Sequence, residues 1–211
     1  MDRERITISI KKRVLDKIDG VIDGSNIRNR SHAIETLALK GLGDEKSKIA
    51  VFIIGGEKAL DYIPAAKHYL KMISEAGYEK AIIAVGFLGD KVKKELGDGS
   101  NYNLSLQYSN KGEGSGGALL SLRKYLSSGF AVFNTDEIYN VEINDLFRFH
   151  QKHQAVATLV SNDQTNLSGI YLFEPEVFAE IPAGFSTIED SLLPKLAKEQ
   201  KLVAIPMIDV K

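Results

Sequence analysis

From residue 48 onward the chain alternates short apolar runs with amphipathic stretches, and this alternation narrows the possible fold more than any other feature. Ile49 to Ile54, Lys80 to Val85, Ser105 to Tyr108, Phe130 to Asn134, Val156 to Val160, Gly169 to Phe173 and Leu202 to Pro206 read as strands. Helical spacing occupies the intervals: Tyr62 to Ala76, Asp90 to Leu96, Gly117 to Tyr125, Ile143 to His153, Pro175 to Glu180 and Ile188 to Gln200. Pro64 falls in the first turn of its helix, where a missing N–H costs nothing. Strands that alternate with helices predict a mostly parallel sheet covered on both faces, an α/β/α architecture. Ligands of such sheets sit beyond the carboxyl ends of the strands. Those ends are Gly55-Gly56, Gly86, the loop NKGEGSGGA and Asn134-Thr135-Asp136.

The first 43 residues follow a different pattern. Arg5 to Ile10 alternates strictly, with Ile6, Ile8 and Ile10 on one face and Arg5, Thr7 and Ser9 on the other, as in a strand with one buried face. Val14, Leu15, Ile18, Val21 and Ile22 then share one side of a helix. A turn at Asp23 to Asn26 follows, and a second helix opens near Asn29, Arg30 and Ser31 and ends at Gly41 to Gly43. A unit of about 42 residues needs a disulfide, a metal or a partner to bury its apolar faces. The chain has no cysteine, so two copies pairing their strands antiparallel is the remaining route. Residues 44 to 48 read as a linker, which gives domains at 1–43 and 49–211.

Composition sets outer limits. The formal net charge of -1 excludes a globally basic nucleic-acid binder, so any such surface must be local. No apolar run approaches the ~18 residues of a membrane span, and the charged N-terminus is unlike a signal peptide, so the expected location is cytoplasmic. The four histidines form no metal-ligand pattern, and His150 and His153 read as surface residues of one helix face.

RITISIKKRVLDKID, a Gly- and Asn-bearing turn, and NRSHAIETLALKGL together resemble the ribbon-helix-helix family of DNA-binding repressors over residues 3 to 42. That resemblance implies a homodimer, or higher assembly, gripping double-stranded DNA. Arg5, Thr7 and Ser9 would read base edges, and Asn29, Arg30 and Ser31 would anchor phosphate. A dimerisation module with a merely solvated strand face is the other reading of the same residues.

The strand ends carry a second resemblance. AVFIIGG, AIIAVGFLGDKVKKELGDGS, GEGSGGALLSL, FAVFNTDEIYNVEINDLFRFH, NLSGIYLFEPEVFAEIP and TIEDSLLPKLAKEQKLVAIPM are similar to successive blocks of the sugar-nucleotide nucleotidyltransferases, Rossmann-like enzymes that join a sugar phosphate to a nucleoside triphosphate. The resemblance implies Mg2+ at Asp136 and Asp209, nucleotide contacts at Gly55, Gly56, Gly114 and Gly117, and catalytic charge at Lys58. Asp136 also fits a loop cap, and Asp209 a solvated terminal carboxylate. The chain departs from the family in two places. Gly55-Gly56 runs directly into Glu57-Lys58, without the longer Arg-bearing phosphate loop, and only SNDQTNL fills the interval from Ser161 to Leu167. An intact repressor-like segment beside a shortened phosphate loop predicts a DNA-binding transcriptional regulator. Its catalytically eroded second domain would sense a nucleotide or sugar nucleotide, or drive assembly. The alternative is an active magnesium-dependent sugar-phosphate nucleotidyltransferase with an N-terminal dimerisation or DNA-targeting arm.

Overall fold

The computed structural model describes residues 6–22, 24, 27–42, 49–161 and 169–206. Arg5, Asp209 and the expected linker at 44–48 lie outside the described residues. The chain divides into two compact units, Met1–Glu45 and Lys46–Lys211.

In the first unit, α1 (Lys12–Asp19) and α2 (Arg30–Leu42) form where the apolar spacing predicts helices. Asn29 sits at the start of α2, and its side-chain Oδ1 accepts the N–H of His32 at 3.0 Å. Arg30 donates twice to Asp19 at 2.6 Å, tying the end of α1 to the beginning of α2. The expected strand is not formed: residues 6–11 have no ladder partner, and Ile6, Thr7, Ile8 and Ser9 are exposed. A strand exists only through hydrogen bonds to a neighbour, and no other strand occurs among the described residues of this unit. The ribbon of the repressor resemblance is therefore not evidenced.

In the second unit, seven strands form one sheet in the order β3-β2-β1-β4-β6-β5-β7. They are β1 (Ile49–Ile54), β2 (Lys80–Val85), β3 (Ser105–Ser109), β4 (Phe130–Asn134), β5 (Ala157–Ser161), β6 (Ile170–Phe173) and β7 (Leu202–Pro206). β6 runs antiparallel to both of its neighbours, and every other pairing is parallel. The helices are α3 (Ile63–Glu75), α4 (Gly89–Leu96), α5 (Gly114–Ser121), α6 (Ile143–His153) and α7 (Leu193–Lys198).

Alternation along each strand sorts the core onto two faces. Phe52 of β1 and Phe133 of β4 stack at 5.0 Å on the face that also packs Tyr69 of α3. Val51, Val132 and Tyr171 point the other way, toward α5 and α7. His150 corrects the surface reading. It is buried on α6 with Nδ1 2.7 Å from Thr158 Oγ1, because β5 and Glu174 close over that helix face. His153 is exposed and stacks on Phe149.

The expected helix over Ile188–Gln200 is two elements: a π-helical turn at Ile188–Leu192, then α7. Thr187 caps the turn by accepting the N–H of Asp190 at 3.1 Å. Such turns widen the backbone locally and recur at functional sites.

The candidate nucleotide site

The strand order reverses at β1: β2 and β3 are added on one side, and the chain then crosses to β4 on the other. That switch point is where an open α/β sheet leaves a crevice. A cavity of about 540 Å3 lies there, lined by Gly55, Gly56, Tyr62, Gly86, Gly114, Ser115, Asn134, Asp136, Tyr171 and Glu189 among others. Of the expected site residues, Gly55, Gly56, Gly114 and Asp136 meet on its wall. Gly117 is buried behind the wall, beside the carbonyl of Gly184. Lys58 is on the exposed turn after Gly56 and is not part of the lining.

Gly56 has φ +78°, a left-handed conformation that glycine adopts without strain, and it allows the chain to leave β1 sharply. A Cβ at either Gly55 or Gly56 would meet no atom within 4 Å, so this wall is open backbone. Gly114 serves a different purpose. A Cβ there would lie 2.2 Å from the carbonyl oxygen of Ser186, so glycine is required for the 184–187 segment to pack against the loop. The same carbonyl accepts the N–H of Gly116 at 2.9 Å.

Asp136 is held in a pinned turn. Its N–H donates to Asn134 Oδ1 at 3.3 Å. One residue further on, Tyr69 of α3 donates its hydroxyl to the carbonyl of Glu137 at 2.8 Å and accepts the N–H of Tyr139 at 2.9 Å. The Tyr62 phenol lies near Asp136, and burial together with the Asp136 charge pushes it above its usual range. Tyrosine therefore remains a neutral donor at this position.

Glu189 also lines the cavity and is not among the site residues expected above. Its carboxylate accepts from Tyr171 OH at 2.8 Å, Asn134 Nδ2 at 3.2 Å and Ser115 Oγ at 3.1 Å. Ser115 Oγ also accepts the N–H of Ile188 at 2.8 Å, which ties α5 to the π-helical turn. Burial and the Glu189 charge push the Tyr171 phenol well above its usual range, so it donates throughout physiological pH. Two signals were present in the sequence: Thr187, a capping residue two positions earlier, and Tyr171, a polar-tipped residue in an apolar strand.

No three His, Asp or Glu side chains among the described residues are grouped to hold a metal by themselves. The wall does fit a hard cation delivered with phosphate. Asp136 supplies one carboxylate to the cavity, and Mg2+ is commonly held by one or two carboxylates plus phosphate oxygens and water. Glu189 already serves three donors, which leaves Asp136 as the carboxylate suited to a cation.

Residues 39–168 match the Nucleotidyl transferase family, and the chain belongs to it. The chain is 24% identical over 182 residues to mannose-1-phosphate guanyltransferase beta-B of Xenopus laevis, covering 68% of this chain and 50% of that protein. It is 26% identical over 169 residues to mannose-1-phosphate guanylyltransferase of Mycobacterium tuberculosis, covering 64% of this chain and 47% of that protein. The chain thus spans about half the length of the curated relatives it matches. Among solved structures, a protein assigned as a glucose-1-phosphate thymidylyltransferase from Bacillus anthracis superposes with a TM-score of 0.63 at 18% identity, over 77% of this chain and 87% of that one. HddC from Yersinia pseudotuberculosis gives 0.59 at 16% identity, over 75% and 90% of the two chains. These likenesses show the fold.

The comparisons overturn the regulator reading. The relatives are sugar-nucleotide nucleotidyltransferases, and nothing among them indicates DNA binding. Local structure gives physical reasons. The Arg30 guanidinium is matched by Asp19, and the Asn29 side chain occupies a donor in the first turn of α2. Ser31 is an exposed residue of that first turn. The alternative, a sugar-phosphate nucleotidyltransferase, fits better.

No helix among the described residues is long and apolar enough to cross a membrane.

Proposed function

We propose that the chain is a magnesium-dependent nucleotidyltransferase that joins a nucleoside triphosphate to a sugar 1-phosphate. One observation carries this reading: the switch-point cavity sets Asp136 beside the open Gly55-Gly56 wall, with the Glu189 cluster as a second polar wall. In the reaction a phosphate oxygen of the sugar phosphate attacks the α-phosphorus. A new P–O bond forms, the bond from the α-phosphorus to the bridging oxygen breaks, and pyrophosphate leaves with the electron pair.

Asp136 would hold a divalent cation, which supplies charge neutralisation on the phosphates during transfer. The bare backbone at Gly55 and Gly56 lets a triphosphate approach without side-chain obstruction. The Glu189 carboxylate, with the Asn134 amide and the Tyr171 hydroxyl, suits hydroxyl groups of a sugar, which both donate and accept. Mannose 1-phosphate with GTP and glucose 1-phosphate with UTP are the pairs to try first, the first from the names of the relatives above and the second from that of another relative, a UTP–glucose-1-phosphate uridylyltransferase of Synechocystis.

The test is magnesium-dependent pyrophosphate release across those pairs, with Asp136→Ala as the control. Turnover that Asp136→Ala abolishes supports the reading. The absence of turnover with every pair, in protein that melts cooperatively, would count against it.

Self-association is the role proposed for the N-terminal unit. Among its described residues Ile18 and Ala33 are buried, whereas Ile6, Ile8, Val14, Val21 and Leu37 are exposed. A second copy of the chain pairing antiparallel at residues 5–10 would cover the isoleucines of both. Light scattering of the full chain should give the mass of a dimer, or of a higher assembly of dimers, for wild type, and of one chain for the double variant Ile6→Lys, Ile8→Lys. A single-chain mass for wild type removes this role and leaves the catalytic proposal intact.

A further inference from the structure

The aromatic residues at the cavity divide sharply by how they are engaged. Tyr62 is half-buried beside Asp136, and Tyr171 is buried and bonded to Glu189. Phe185 has no such engagement and is 72% exposed, although a large apolar ring is stabilised by leaving water. It stands beside the cavity wall: its Cε2 atom would lie 3.3 Å from a Cβ placed on Gly114, so the ring edge packs on a lining residue.

The ring is held in this exposed position by its backbone. Ser186 N donates to the carbonyl of Glu113 at 3.3 Å, and Ser186 O accepts from Gly116 at 2.9 Å. Thr187 then caps the turn that carries Glu189. A loop stitched to its neighbour at the residue that follows the ring keeps the Phe185 backbone beside the cavity wall, where a molecule entering from outside can cover the ring.

The geometry points to Phe185 as the stacking surface for the nucleobase of a nucleotide bound in this cavity, with purines favoured over pyrimidines. A base has two apolar faces and a polar edge, which matches a ring set beside the backbone groups of the 112–115 loop. Base–aromatic stacking does not depend on hydrogen-bond readout, and a two-ring base covers more of the phenyl face. This inference rests on the nucleotidyltransferase reading. Phe87, the other strongly exposed ring near the strand ends at 74%, lines an adjoining hollow with Lys93 and Tyr108 and not the cavity itself, and it serves as a control.

The experiment is a titration of the full chain with GTP and with UTP in the presence of magnesium, read by calorimetry. Phe185→Ala should raise the dissociation constant for GTP about tenfold, and that for UTP by less. Phe87→Ala should leave both unchanged. The chain has no tryptophan, so Phe185→Trp supplies a single indole, excited apart from the tyrosines, whose emission should be quenched by GTP at near wild-type affinity. Equal binding by wild type and Phe185→Ala, with no quenching in Phe185→Trp, overturns the inference and leaves the proposed function standing. So does a loss confined to Phe87→Ala, which would move the base to the other hollow. If wild type binds neither nucleotide, both readings fall together.

Discussion

The two walls of the cavity are built on opposite plans. Glu189 is fixed by donors from three elements, namely Ser115 of α5, Asn134 at the end of β4 and Tyr171 of β6. Gly55 and Gly56, also on the lining, present bare backbone to open space, with Asp136 and Tyr62 among the polar side chains of the same cavity. The first wall has its geometry before any ligand arrives, which is how a binding surface avoids reorganisation on binding. The second leaves its charge balance to what binds: the lining carries the carboxylates Asp136 and Glu189 and no Lys or Arg. A triphosphate there would repel Asp136 unless a cation stood between them.

The largest expected effect follows from that difference. Asp136→Ala should lower the rate of pyrophosphate release by about 10²–10³-fold, the usual scale for removing transition-state charge stabilisation. Its melting temperature should hold, because the turn is fixed by Tyr69 through the backbone of Glu137 and Tyr139 rather than by the Asp136 carboxylate. A variant retaining more than about a tenth of the rate would mean that the open wall does not hold the cation, and the contrast between the walls would lose its functional meaning.

Glu189→Gln comes next, because it keeps the volume and removes the charge that three donors share. A glutamine amide nitrogen cannot accept, so one of the donors is left facing another donor. The Michaelis constant for the sugar phosphate should rise about tenfold while that for the triphosphate changes little. Equal changes in both constants would show that the two walls do not divide the substrates. Tyr171→Phe should act in the same direction and more weakly, raising that constant about threefold, because it removes one of the three donors and leaves the carboxylate charge in place. The raised phenol pKa fixes the sign of its pH dependence: stability from this hydroxyl is fully present below the ordinary value of 10.0 and is lost only as pH rises beyond it. Denaturation of wild type and Tyr171→Phe at neutral pH and at pH above about 10 measures the gap, which should narrow on the alkaline side.

The open wall was far more legible in the sequence than the closed one. Gly55-Gly56 and Asp136 follow directly from strands whose apolar runs end in polar or glycine residues, so each is fixed by local pattern and lands on the cavity. Glu189 depends on partners 18, 55 and 74 positions away in the chain, and no periodicity reports that convergence. Its helix also reads as an ordinary amphipathic one, and the π-helical register that sets the Glu189 position leaves no distinct apolar signature. The N-terminal strand failed for a related reason. Strict alternation at residues 5–10 records a preference for being paired, and pairing needs a neighbour that the described chain does not supply.

The smallest expected effect tests whether the open wall really is open. Lys58 lies on the exposed turn beyond Gly56, next to the oppositely charged Glu57, and its carbonyl accepts the N–H of Asp61 at 2.8 Å. A charge acting through water at a separation on the order of 10 Å contributes about 0.4 kcal/mol, and salt reduces this further. Lys58→Ala should therefore lower kcat/KM by no more than about twofold, with the loss vanishing in high salt. Glu57→Ala should raise it by a similar factor, because the two side chains carry opposite charges on the same turn. A hundredfold loss in Lys58→Ala would mean that the turn folds down on the phosphates during turnover. The bare wall would then be completed by the protein itself, and both sides of the cavity would be built by the chain in their own way.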